Sequence, residues 1–163
     1  MSISIRAANP GDADTIARGN IAMALETEHK RLDEGRARAG VLSVFEDASR
    51  GQYFVAERDG RVVGQLMITY EWSDWRNGVF WWIQSVYVDP PARRVGVFRA
   101  LYAHVERLAK DDPGVCGIRL YVERENHRAQ LTYRHCGMED AGYVVMEVDY
   151  SVAAKATGGS HHA

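Results

Sequence analysis

Two groups of residues in this chain have types and spacing that could do chemistry. The first is Arg93-Arg94-Val95-Gly96-Val97-Phe98-Arg99, which follows a long apolar run and the breaker Asp89-Pro90-Pro91. Its apolar spacing predicts a helix over about Val95–Lys110, so the arginines and the glycine fall on its first turn. The first backbone N–H groups of a helix have no partner within it, and the helix dipole adds partial positive charge there. Gly96 removes a side chain from that approach, and Arg93, Arg94 and Arg99 can add charge-assisted hydrogen bonds. The chemistry is that of holding a phosphate or pyrophosphate. The segment lacks the Gly-Lys-Ser/Thr ending of a nucleotide-hydrolysing loop. The second group is Asn126, Ala129 and Tyr133, whose spacing places them along one face of a predicted helix over Asn126–Cys136. Small Ala129 leaves room for a ligand between two polar groups.

The elements that must position these groups follow from the hydrophobic pattern. Ser2–Ala7 alternates and reads as a strand; Asn9-Pro10-Gly11-Asp12 reads as a turn, with Asp12 as N-cap of a helix over Ala13–Glu26. A second helix over Arg36–Ala48 places Val41, Leu42, Phe45 and Ala48 on one face. Tyr53–Glu57 and Val62–Glu71 read as a hairpin about Asp59-Gly60. Val79–Val88 is nearly unbroken in apolar residues, as expected of a strand buried on both faces. Cys116–Val122 reads as a further strand, and Gly142–Tyr150 as a last one. Gly137 suits a left-handed helix stop. The order predicts one α/β (α+β) domain over residues 1–150, with a mixed sheet antiparallel in its first half and helix-connected in its second. Residues 151–163, rich in Ala, Gly and Ser, read as a disordered tail in which His161 and His162 are incidental.

Composition narrows the function. A chain of 163 residues with 46% hydrophobic and 26% charged residues is long enough for one continuous core. A net charge of −2 gives no general reason to bind nucleic acid or an anionic membrane. Cys116 and Cys136 are too few for a disulfide framework or a thiolate metal site, so no metal is expected. No stretch approaches the ~18 uninterrupted apolar residues of a membrane span. The start, Met1-Ser2-Ile3-Ser4-Ile5-Arg6, lacks a signal peptide's apolar segment, so the expected location is cytoplasmic.

Arg93-Arg94-Val95-Gly96-Val97-Phe98 resembles the Q/R-x-x-G-x-G/A signature of the GNAT acetyltransferase superfamily, with Phe98 where the family usually has Gly or Ala. Downstream, Asn126-His127-Arg128-Ala129-Gln130-Leu131-Thr132-Tyr133-Arg134-His135-Cys136-Gly137-Met138 resembles the family's N-x-x-A-x-x-x-Y-x-x-x-G-F, with Met138 in place of the aromatic. The resemblance covers about Ser2–Tyr150 in element order. It implies a mostly antiparallel sheet flanked by helices, whose two parallel strands splay at the cofactor.

The implied activity is acetyl transfer from acetyl-CoA to a primary amine by direct attack. The resemblance assigns the cofactor to Val86, Tyr87 and Val88 on the strand, to Arg93, Arg94, Val95, Gly96, Val97, Phe98 and Arg99 at the helix start, and to Asn126 and Tyr133. Tyr133 is the implied general acid for the leaving thiolate, since a phenol with a pKa near ~10 is protonated at neutral pH. Glu71 and Glu123 are candidate bases, and each also reads as a solvated strand-end acid. Glu26, Glu28, Glu71, Trp72, Trp75 and Trp82 fall in segments that form the family's acceptor cleft, where acids and indoles would suit a cationic amine. The tryptophans equally read as core filling or a homodimer contact. A non-catalytic acetyl-CoA sensor that keeps the pocket but not the chemistry is the alternative.

Overall fold

The computed structural model describes residues 2–151. The predicted tail, Ser151 apart, lies outside the described residues. In chain order the elements are β1 (Ser4–Ala7), α1 (Ala13–Glu28), α2 (Glu34–Glu46), β2 (Gln52–Arg58), β3 (Arg61–Ser73), β4 (Gly78–Val88), α3 (Val97–Asp111), β5 (Val115–Leu120) and α4 (His127–His135). The five strands form one sheet in the order β1-β2-β3-β4-β5. Neighbours are antiparallel except β4 and β5, which the α3 crossover makes parallel.

Each face of the sheet carries its own core. Under α3, Phe54, Leu66, Ile68, Ile83, Leu101 and Val105 are buried together. On the opposite face, Ile16 and Ala17 of α1 and Val41 of α2 pack on Tyr53 and Val55. The predicted hairpin at Asp59-Gly60 is present, and both residues have positive φ, 53° and 76°. That is the primed turn that matches strand twist. Gly64 permits a close approach of a helix to the sheet, because a Cβ there would lie 2.6 Å from Cγ1 of Val97. The start of α3 is thereby pressed onto β3.

Local details depart from the pattern reading for identifiable reasons. α2 begins at Glu34 because the side chain of Asp33 accepts a hydrogen bond from the Arg36 amide and caps the helix. α3 begins at Val97 rather than Val95, because Arg94 and Gly96 are left-handed, with φ of 67° and 89°. Arg93, Arg94 and Val95 therefore belong to the loop before the helix, not to its first turn. Gly142–Tyr150, read above as a last strand, joins no sheet among the described residues. Its strand-like composition is not matched by a backbone ladder to any strand among the described residues.

Candidate active site

β4 and β5 run side by side only part of the way. Their pairing proceeds from Val79 with Val115 to Ile83 with Leu120, where β5 ends, while β4 continues to Val88. The divergence coincides with a bulge. Opposite β3, Gln84 pairs with Met67 and Tyr87 with Gln65, so Ser85 and Val86 together face Leu66 alone. Ser85 takes a left-handed φ of 54° to make this fit. The bulge reverses the strand's alternation: Ile83, Val86 and Val88 all pack toward α3. Past Ile83, β4 thus presents backbone to a gap that β5 leaves open. Pattern reading missed Ser85, since a serine in a strand carries no bulge signal.

The tip of α3 closes one end of this gap. Its first intrahelical bond runs from the Ala100 amide to the Gly96 carbonyl at 3.0 Å, and no side chain caps the terminus. The amides of Val97, Phe98 and Arg99 precede that ladder. A Cβ built on Gly96 would meet nothing within 4 Å. The tip is therefore open and presents free amides, which fits an anionic pyrophosphate. Phe98, the departure from the usual small residue, does not plug it. Its ring turns toward the neighbouring helix, 5.5 Å from the ring of Tyr133 and 6.1 Å from that of Tyr102.

The three arginines behave differently from one another. Arg93 is tied down: its Nε donates to the Val88 carbonyl at 2.8 Å, and its Nη2 to Glu26 at 2.8 Å. Its guanidinium also lies 5.5 Å from the Tyr87 ring centre. Arg93 thus straps α1 to the end of β4, and takes up the Val88 carbonyl that the family likeness assigned to the cofactor. Arg94 and Arg99 are exposed beside the open tip.

Asn126 caps α4, its Oδ1 accepting from the Ala129 amide at 3.1 Å. That leaves its side-chain NH2 as the group able to face a ligand. Tyr133, one face along, is half-buried. Burial pushes its phenol above the ordinary value, and nearby Cys136 adds to the rise.

The residues nominated for base and acceptor are dispersed. Glu71 accepts from Arg119 at 2.7 Å, and the Arg119 guanidinium stacks 3.7 Å from the Phe80 ring centre. Glu123 accepts from the Glu125 amide at 2.8 Å and shapes the loop before α4. Glu26 is held by Arg93, and Glu28 lies 3.9 Å from Lys30. Trp72 and Trp75, 61% and 87% exposed, sit at the β3–β4 hairpin. Trp72 pairs with Val79, so it lies about 17 Å along the strand from the start of the gap at Gln84. Those two tryptophans do not line the site. Trp82 is nearer, and its ring lies 4.4 Å from that of Tyr121, an aromatic partner that sequence reading did not single out. Among the described residues, no group of three or more His, Cys, Asp or Glu side chains could hold a metal ion, and no helix is long and apolar enough to cross a membrane.

The model of the acetyltransferase (GNAT) family matches residues 22–138, which contain the gap, the open tip and α4. The chain belongs to the GNAT acetyltransferase family. This GNAT chain is also similar to a solved possible acetyltransferase from Clostridium difficile 630, with 44% identity and a TM-score of 0.86 over 93% of this chain and 99% of that one. Two more distant structures share its fold. A ribosomal-protein-alanine N-acetyltransferase from Brucella melitensis biovar Abortus 2308 is 17% identical, with a TM-score of 0.72 over 92% of this chain and 100% of that one. A predicted acetyltransferase with acetyl-CoA from Clostridium acetobutylicum is 14% identical, with a TM-score of 0.72 over 90% and 96% of the two chains. No curated protein matches the chain significantly.

Proposed function

We propose that this GNAT protein is an N-acetyltransferase that moves an acetyl group from acetyl-CoA to a primary amine. The observation that carries the reading is the uncapped, unobstructed tip of α3 at Gly96, set beside a strand gap and facing a half-buried tyrosine. Bound acetyl-CoA would supply an activated thioester. The amides of Val97, Phe98 and Arg99 would hold its pyrophosphate, with Arg94 and Arg99 adding charge. The free backbone of β4 at Val86 and the NH2 of Asn126 would orient the arm, and a β4 amide at the bulge would stabilise developing negative charge on the acetyl oxygen. Tyr133 holds the proton that the departing thiolate takes up, and its raised pKa keeps that proton in place through the neutral range.

The acceptor is read as a primary amine without a strong cation trap. Glu26 and Glu71 already neutralise Arg93 and Arg119, so neither offers an uncompensated charge. The Trp82–Tyr121 pair offers an apolar wall instead. Glu71 and Glu123 are both engaged with the protein, which favours proton loss from the amine to water. The same observation is what supports the alternative, an acetyl-CoA sensor.

A free-thiol assay across polyamines, lysine peptides, amino sugars and neutral amines, beside calorimetry with acetyl-CoA, tests both. Thiol release with at least one amine class is expected. Tight binding with no release on any amine would favour the sensor, and no binding at all would remove both readings.

A further inference from the structure

Against α1 lies a cavity of about 510 Å³, within the size range of small-molecule sites. It is lined by α1, by the start of β3 and by the end of β4. None of its lining residues comes from β5, α3 or α4, the elements that frame the gap and the helix tip. It is therefore a second site, on the β3 side of β4.

The cavity contains a buried polar group with capacity to spare. Gln65, 2% exposed, spends both hydrogens of its Nε2, on the Ile16 carbonyl at 3.1 Å and on Oδ1 of Asn20 at 3.0 Å. Its Oε1 accepts from no described group. Among the described residues no buried side-chain oxygen is left without a partner, so this one keeps its opening to the cavity that Gln65 lines. Gly19 makes the arrangement possible. A glycine inside a helix weakens it, but a Cβ at Gly19 would lie 2.5 Å from that same oxygen.

The charges around the cavity are held apart. Arg18, Arg61 and Asp89 all line it, yet among the described residues none of the three makes an ion pair. Arg18 reaches only the Thr15 hydroxyl, at 3.3 Å. Elsewhere arginines and acids that meet neutralise each other, as Arg93 does with Glu26 and Arg38 with Asp14. Two cations and an anion, unpaired around one opening, complement a ligand that carries both signs.

We propose that this cavity binds a free α-amino acid with an apolar side chain. The ammonium, with three donors, is held by Oε1 of Gln65 and the Asp89 carboxylate. The ligand carboxylate accepts from Arg18 and Arg61, and its side chain lies against Ala22 and Val62. No step here uses acetyl-CoA, so failure of this site leaves the acetyl-transfer reading standing, and the reverse holds too.

The test uses the full chain without acetyl-CoA. Calorimetry with L-leucine and L-phenylalanine is expected to give a Kd below about 1 mM for at least one of them. The amide of that amino acid lacks the carboxylate, and its N-acetyl derivative lacks the ammonium; both are expected to bind about tenfold or more weakly. Arg61→Gln and Asp89→Asn, with circular dichroism to check the fold, should each weaken the free amino acid by a similar factor. No binding of either amino acid would overturn the proposal, as would derivatives that bind equally well. Inorganic phosphate bound as tightly as the amino acid would mark a plain anion patch instead. Affinity indifferent to both substitutions would place the amino acid elsewhere, and would overturn it too.

Discussion

Gly96→Ala isolates the contribution of the α3 tip. Gly96 has φ 89°, a left-handed value at which an L side chain is strained by roughly 1–2 kcal/mol, although a Cβ there would strike nothing. Strain alone would lower the melting temperature by about 3–6 °C in a chain of this size. The methyl would also stand in front of the free amides, displacing a bound pyrophosphate from at least one of them. Losing one hydrogen bond to a charged group costs roughly 1.5–3 kcal/mol, or about 10- to 100-fold in affinity. A matched control exists in the same molecule. Gly137, at the end of α4, has φ 91° and equally open surroundings. Gly137→Ala is therefore expected to reproduce the melting shift and leave coenzyme A affinity within about threefold of the native value. Differential scanning fluorimetry and calorimetry on the two variants measure both quantities. Equal affinities for coenzyme A in Gly96→Ala and Gly137→Ala would refute the claim that these amides clasp the ligand.

Tyr133→Phe is expected to keep coenzyme A binding while turnover falls on the order of 100-fold, read as kcat against Kd. Because burial raises the Tyr133 phenol pKa, the donor form persists above the ordinary phenol range; kcat/KM should climb as the amine deprotonates and show no Tyr133-linked decline up to about pH 10. Leu101, fully buried under α3, should cost roughly 3–5 kcal/mol on Leu101→Ala, measured by urea unfolding. The fourth prediction concerns Asp12, whose carboxylate takes two hydrogen bonds from Arg6, at 2.8 and 2.9 Å, and one from the Asn9 amide at 2.8 Å. These bonds hold its pKa below the usual value, chiefly through Arg6, so its stabilisation is present above an unfolded pKa near ~4 and is lost as pH falls through the depressed folded one. Asp12→Ala should therefore cost roughly 1–3 kcal/mol at pH 7, with the gap from the native chain narrowing at pH 3 and below.

The sequence carried the skeleton of this fold because its elements are locally consistent. The Asp59-Gly60 turn, the apolar run of β4 and the α3 stripe through Val97, Leu101 and Val105 each specify one structure without outside help. The helix-tip motif was legible for the same reason, since a glycine before an amphipathic stripe is a backbone statement. What escaped was set by distant partners. Arg93 pointed at an anion in one dimension, but α1 folds back to bring Glu26 within 2.8 Å of it. Glu71 and Arg119 are far apart along the chain and meet only because β3, β4 and β5 are adjacent. Trp72 and Trp75 lie beside the right strand but at its wrong end, a matter of register that composition does not encode. Gly142–Tyr150 has the residues of a strand, but a strand also needs a neighbour, and residue preference says nothing of where that neighbour is.

The additional residue in β4 works as a phase shifter. Ile83 points under α3, and in an unbroken pleat Ser85 and Tyr87 would follow it there; instead Val86 and Val88 do, and Tyr87 swings out to meet Arg93. Excising Ser85 would leave Val86 two positions after Ile83, so Val86, Val88 and Tyr87 would keep their faces while the strand lost its left-handed kink. The kink sits where β4 parts from β5, so a single-codon deletion that spares every recognised side chain would straighten the strand at the mouth of the gap.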